Sequence, residues 1–195
     1  MLFLAAGSVY WLAVREGPLQ NVASDLQVKT IQIRNIPFVN GEKVNSIIEL
    51  TPPYELQPLG ITPDFSQSNV VQVIEALWNI PKTGNEAYLA LMDEGVRKKY
   101  EESDSGAKAE DPRIDLDARP PRSAITHWVD IESQGTLYRI VVGNQILPDG
   151  ESPQFHLVFL DRDGRWFQTF DLTGSELKSI VGSTPLDELK KQFAK

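Results

Sequence analysis

The side chains best suited to chemistry are the two histidines, His127 and His156, because imidazole titrates close to neutral pH. In an extended strand, His127 and the nearby Asp130 lie on opposite faces, so no histidine–carboxylate pair forms locally. His156 lies between apolar residues of another candidate strand. We expect both histidines to be packing residues. If the sheet curls around a cavity, His156 is the first candidate for a polar group inside it.

A second candidate site is the tetrapeptide Asp-Arg-Asp-Gly at residues 161–164, which resembles part of a calcium-binding loop. Such a loop needs several more oxygen ligands and a distal bidentate glutamate, whereas Trp166 and Phe167 follow directly here. Asp and Gly are also the residues that tight turns prefer for backbone reasons. The sequence therefore predicts a hairpin turn, with no metal site and no cofactor.

The composition excludes several classes of protein. The chain has 195 residues, of which 41% are hydrophobic and 24% charged, and this is typical of a globular protein. It has no cysteine, which excludes disulfides, zinc–thiolate sites and thiol catalysis. The net charge of −8 argues against a nucleic-acid partner, which would require excess Lys and Arg. Since no phosphate-loop, dinucleotide or zinc-protease motif is present, no catalytic residue is predicted, and the ligand-binding residues stay unknown.

The first fourteen residues, 1–14, form an apolar run without a charged side chain. As a helix this run spans about 21 Å, which is less than the roughly 30 Å of a bilayer's hydrocarbon core. Three interpretations remain open: a transmembrane helix that begins further upstream, an uncleaved signal-anchor, and a helix buried in the core. Tyr10 and Trp11 favour a membrane interface. We therefore expect residues 1–18 to be a membrane anchor or signal-like helix, with an extracytoplasmic, periplasmic main domain.

Residues 19–195 are predicted to form a single α+β domain. Alternating apolar residues over 29–39 and 44–50, on either side of Asn40-Gly41, predict a β-hairpin. Apolar residues at helical spacing then predict a helix pair over 69–79 and 83–100.

A charged segment follows the helix pair. Residues 101–122 hold seven acids and four bases with few large apolar residues, which predicts a mobile acidic loop. Four strands joined by short turns come next, at residues 125–131, 137–146, 155–160 and 166–172. The predicted fold class is therefore α+β: an N-terminal apolar helix, a hairpin, a helix pair, and a four-stranded antiparallel meander with C-terminal helices.

The strand–turn–strand sequence of residues 155–172, with its Gly164-Arg165-Trp166, follows a helix pair and a meander. This order resembles the cone-shaped fold of the NTF2-like superfamily over residues 69–172. VirB8-like members of that superfamily combine one N-terminal membrane helix with such a domain and take part in assembling type IV secretion machines. The overall layout is similar to theirs, but no functional residue is carried over.

We therefore expect a membrane-tethered, non-enzymatic domain that mediates protein–protein interaction or envelope complex assembly. Its expected partners are the membrane, through residues 1–14, and other proteins or a second copy of the chain. The alternative is a small-molecule-binding or enzymatic cone-shaped domain with His127 or His156 in its cavity. A third hypothesis is a protein whose N-terminal helix docks on a partner subunit, so that deleting residues 1–14 abolishes oligomerisation.

Overall fold

A computed structural model describes most of the domain. The described residues are 26–34, 38, 41–56, 67–79, 85–102, 122–147, 150, 152–172 and 174–195. Among them, six strands are β1 (Gln27–Ile31), β2 (Lys43–Glu55), β3 (Arg122–Ser133), β4 (Thr136–Ile146), β5 (Gln154–Arg162) and β6 (Arg165–Gln168). The helices in the same ranges are α1 (Val70–Asn79), α2 (Asn85–Ala90), α3 (Glu94–Glu102), α4 (Glu176–Ser183) and α5 (Leu186–Phe193).

The six strands form one antiparallel sheet in chain order, from β1 at one edge to β6 at the other. Two of its hairpins turn on only two residues, which both have positive φ: Gln134 with Gly135, and Asp163 with Gly164. Turns of this kind match the right-handed twist of the strands that they join. The Asp-Arg-Asp-Gly segment is therefore a hairpin turn, as predicted, and Asp161 Oδ1 accepts a hydrogen bond from the Gly164 N–H at 2.8 Å.

Both faces of the sheet are covered, since the central strands carry apolar side chains at consecutive positions. One face of the sheet is covered by α1, α2 and α3 and is called the α1–α3 face. On it, Leu50, Val141 and Phe159 belong to the apolar cluster that contains the buried side of α1. On the α4–α5 face, Ile140 and Val158 pack with residues of the two C-terminal helices. The molecule thus has three layers, with the sheet in the middle.

The predicted fold class is wrong in its organisation, because β1 and β2 are not a separate hairpin. β2 has 13 residues and pairs along most of its length with β3, which joins the two strand regions into one sheet. The prediction ended this strand at Leu50, before Pro52 and Pro53. In the structure the two prolines lie in a register irregularity between Glu49 and Tyr54, a position in a sheet that tolerates proline.

The expected N-terminal helix also needs correction. Residues 1–18 lie outside the described residues, as does most of the predicted acidic loop at 101–122. No helix in the described ranges is long and apolar enough to cross a membrane. The prediction of a transmembrane or signal-anchor helix is therefore wrong for the part of the chain that the structure describes.

Candidate functional site

The β6 edge of the sheet is closed by main-chain hydrogen bonds. The Trp166 N–H donates to the Gln67 carbonyl at 2.8 Å, and the Gln168 N–H donates to the Leu91 carbonyl at 2.9 Å. The Asp93 N–H in turn donates to the Gln168 carbonyl at 2.9 Å. The connection between α2 and α3 therefore lies against β6 like a short additional strand, and together with Gln67 it satisfies these three outward groups.

The opposite edge is different. β1 pairs with β2 from Gln27 opposite Thr51 to Ile31 opposite Ile47. On the outer side of residues 27–31, no residue of the described ranges forms a ladder. This stretch therefore presents an open strand edge.

The C-terminal tail covers the chain just beyond that stretch. The Arg34 N–H donates to the Phe193 carbonyl at 2.7 Å, the Lys195 N–H donates to the Gln32 carbonyl at 3.0 Å, and Ile33 bridges Ala194. These bonds limit the open edge to the five residues of β1.

The tail also shows which main-chain groups of β1 point outward. The Gln32 carbonyl and the Arg34 N–H point to the tail, away from β2. Since the main-chain groups of alternate residues in a strand point to the same side, those of Val28 and Thr30 point outward as well. These two residues are the ones that a further strand would bond.

The side chains of β1 next to the open edge differ between the two faces of the sheet. Val28 lies opposite Leu50 on the α1–α3 face, and 47% of its surface is exposed. Lys29 lies opposite Glu49 on the α4–α5 face and is exposed. The Glu49 carboxylate is already bound by Lys190 Nζ at 2.7 Å, and Lys29 forms no ion pair with a residue in the described ranges.

His127 is buried on the α4–α5 face, directly opposite Glu49. Its Nδ1 shares a hydrogen bond with Thr126 Oγ1 at 2.9 Å, whereas its Nε2 has no partner among the described residues. Burial, with a smaller contribution from the Lys190 charge, lowers the pKa of His127 to about 4. The imidazole is thus neutral and enclosed. As predicted, Asp130 lies on the opposite face.

His156 lies on the same face, and Val142 of the intervening strand β4 separates it from His127. Its ring packs on Gly182 of α4, where an added Cβ would come within 2.6 Å of His156 Nδ1. Partial burial, and then the Lys178 charge, lower the pKa of this exposed histidine. The structure therefore brings the two histidines to one face but not into contact.

A buried ion pair that the sequence analysis missed lies on the α1–α3 face. Arg139 Nε and a terminal guanidinium nitrogen donate to the two carboxylate oxygens of Asp130, at 2.7 and 3.0 Å. The guanidinium lies 4.9 Å from the ring centre of Trp128 and 4.4 Å from that of Trp166. Ser46 Oγ also donates to Asp130, at 3.0 Å. With these contacts both charged groups are buried in the protein interior, where they stabilise each other.

A polar cleft of about 420 Å³ lies where β4 begins and β5 ends. Its lining residues are Gly135, Thr136, Leu137, Tyr138, Leu160, Asp161, Arg162 and Asp171. Burial, and then the nearby Asp171 charge, raise the pKa of Tyr138. Arg162 Nη2 lies 2.5 Å from Asp93 Oδ1. Neither histidine lines this cleft, and no group of three metal-ligating side chains occurs in the described ranges.

No family model, curated protein or solved structure matches this chain, so the expected NTF2-like and VirB8-like resemblance has no support from these comparisons.

Proposed function

We propose that this chain is a non-enzymatic protein-binding domain that adds an extended segment of a partner to the outer edge of β1. The observation that carries the proposal is the contrast between the two outermost strands of the sheet, β6 and β1. β6 is closed by main-chain bonds to Gln67, Leu91 and Asp93, whereas the outer side of β1 is open in the described part of the chain.

An open edge supports binding because its unpaired N–H and C=O groups can extend the ladder to another chain. The open stretch has five residues and is about 17 Å long. Val28 and Thr30 together offer two N–H and two C=O groups to such a segment. This geometry supplies main-chain affinity, and the neighbouring side chains supply selectivity.

The buried polar groups are already paired or enclosed, and this also favours binding over catalysis. Arg139 and Asp130 neutralise each other in the core, and Glu49 is bound by Lys190 at the surface. His127 lies beneath that surface pair with a strongly lowered pKa. A general base should titrate near the working pH and reach its substrate, and His127 has neither property.

The proposal is tested by selecting binders from a displayed library of random linear peptides on the full chain. We expect the selected peptides to lose binding to the Thr30→Pro variant and to keep it with Thr30→Ala. Proline removes an outward N–H donor but no bond to β2, and edge strands tolerate it at such positions. Circular dichroism and thermal unfolding compare the folding of the two variants.

A second measurement does not depend on the variants. Peptides that are N-methylated at the residues opposite Val28 and Thr30 should fail to bind the unmodified chain. Selected peptides that bind Thr30→Pro and Thr30→Ala equally, or that tolerate this N-methylation, would show that the binding surface lies elsewhere and would overturn the proposal.

A further inference from the structure

We infer that the segment bound by β1 carries a carboxylate at its centre, facing Lys29, between two apolar side chains that face Val28 and Thr30. This inference rests on the proposed function and adds the chemical class of the partner to it. The expected partner is an extended acidic–apolar peptide whose residues alternate between the two faces of the sheet.

The charge of the central residue follows from the position of Lys29. Lys29 is the middle residue of β1, and it is exposed on the α4–α5 face. Its cross-strand neighbour Glu49 is bound by Lys190 at 2.7 Å, so that carboxylate is already engaged. Lys29 thus offers a positive charge that no residue of the described ranges neutralises.

The ladder geometry brings a partner's side chain close to this charge. In an antiparallel pairing, the partner residue opposite Lys29 belongs to a non-hydrogen-bonded pair, because Val28 and Thr30 supply the outward main-chain groups. In such pairs the Cα atoms lie about 4.5 Å apart and the side chains approach closely. A Glu or Asp at this position would therefore reach the Lys29 ammonium group.

The flanking apolar residues follow from the opposite face. Val28 is 47% exposed although its neighbour Leu50 is buried, so the apolar cluster of the α1–α3 face ends at Val28. Thr30 lies opposite Ile48 of the same cluster. Apolar side chains opposite Val28 and Thr30 would continue this cluster by one strand and remove the exposed Val28 surface from water.

The same residues disfavour a second copy of the chain as the occupant. A symmetric antiparallel pair of β1 strands centred on the open stretch would place Lys29 directly opposite the other copy's Lys29. Like charges directly opposite each other destabilise a ladder, and lysine on an edge strand discourages self-association. The occupant is therefore a segment of a different sequence.

The test is a charge exchange. Two peptides with the cores Thr-Val-Glu-Val-Thr and Thr-Val-Lys-Val-Thr, flanked by Gly-Ser, are titrated to millimolar concentration into the ¹⁵N-labelled full chain. The chain should bind the glutamate peptide about fivefold or more tightly, as judged by shifts of the Val28 and Thr30 amide signals. The Lys29→Glu variant should reverse the preference, whereas Lys29→Gln should remove it.

The outcomes separate this inference from the proposed function. If both peptides bind equally and Thr30→Pro abolishes both, the charge preference is wrong and binding at the edge stands. If Thr30→Pro leaves binding intact, or neither peptide shifts the β1 amides, the proposed function fails as well. A chain that dimerises through β1 in sedimentation experiments, with dimerisation lost in Thr30→Pro, would also overturn the inference.

Discussion

The two faces of the sheet bury titratable groups in opposite states. On the α1–α3 face, Arg139 and Asp130 are buried as a charged pair between two tryptophan rings. On the α4–α5 face, His127 is buried neutral, and the nearest ion pair, Glu49–Lys190, remains partly exposed above it. The difference shows that the Arg139–Asp130 pair is buried with its own bidentate counter-ion contact and neighbouring tryptophan rings, whereas His127, which has no such partner among the described residues, is buried neutral.

The largest expected effect is the loss of one partner of the charged pair. Arg139→Leu should destabilise the fold by about 3–5 kcal/mol, because it leaves the Asp130 carboxylate buried without a counter-ion. Chemical denaturation at neutral pH measures the change. The double variant Arg139→Leu with Asp130→Leu should recover much of the loss, since it removes both charges. A double variant no more stable than Arg139→Leu would show that the cost lies in packing against the tryptophans.

The α4–α5 face should respond to pH instead. The pKa of His127 is about 4 in the folded chain and 6.5 in its ordinary state, so the unfolded chain takes up the proton first as the pH falls. The contribution of His127 to stability is therefore full above pH 6.5. It should be lost as the pH falls towards 4, by about 3 kcal/mol.

The measurement for His127 is the difference in unfolding free energy between the wild-type chain and His127→Gln at several pH values. The difference isolates this group from the carboxylates that titrate in the same range. We expect the wild-type chain to lose more stability than the variant between pH 7 and pH 4. Parallel curves would mean that His127 is not responsible for the pH dependence, and the neutral buried state assigned to it would be wrong.

A smaller effect should come from the start of α4. Ser175 Oγ accepts a hydrogen bond from the Lys178 N–H at 3.1 Å and donates one to the buried Glu42 carboxylate at 3.0 Å. Ser175→Ala removes both and should cost about 1–2 kcal/mol. Ser183→Ala is the matched control, because in the described structure the exposed Ser183 hydroxyl donates only to the Ser179 carbonyl of its own helix. Equal thermal shifts in the two variants would contradict the capping role.

Local features of the fold could be predicted from the sequence wherever they depend on neighbouring residues. The Asp163-Gly164 turn follows from the conformations that these residues adopt easily, and the opposite faces of His127 and Asp130 follow from strand alternation. The pairing of Asp130 with Arg139 was also within reach. A two-residue turn at Gln134-Gly135 sets the register of β3 against β4 and places the two residues opposite each other.

Other features depend on contacts between distant parts of the chain and could not be derived in this way. β2 continues beyond Pro52 and Pro53 because its far end pairs with β3, about 70 residues later. Trp166 contacts Arg139 only because β5 pairs with both β4 and β6, which places β6 two strands from β4. Which strand forms the open edge also depends on the pairing of β2 with β3, so the candidate binding site was not visible in the sequence.

The order of the strands has a consequence for how fast the domain forms. Neighbouring strands are also consecutive in the chain, and the β3–β4 and β5–β6 pairs close over two-residue turns. Only the β2–β3 pair must close over a segment that includes α1, α2 and α3. Since chain entropy opposes such long-range closure, this single pairing is expected to limit the folding rate.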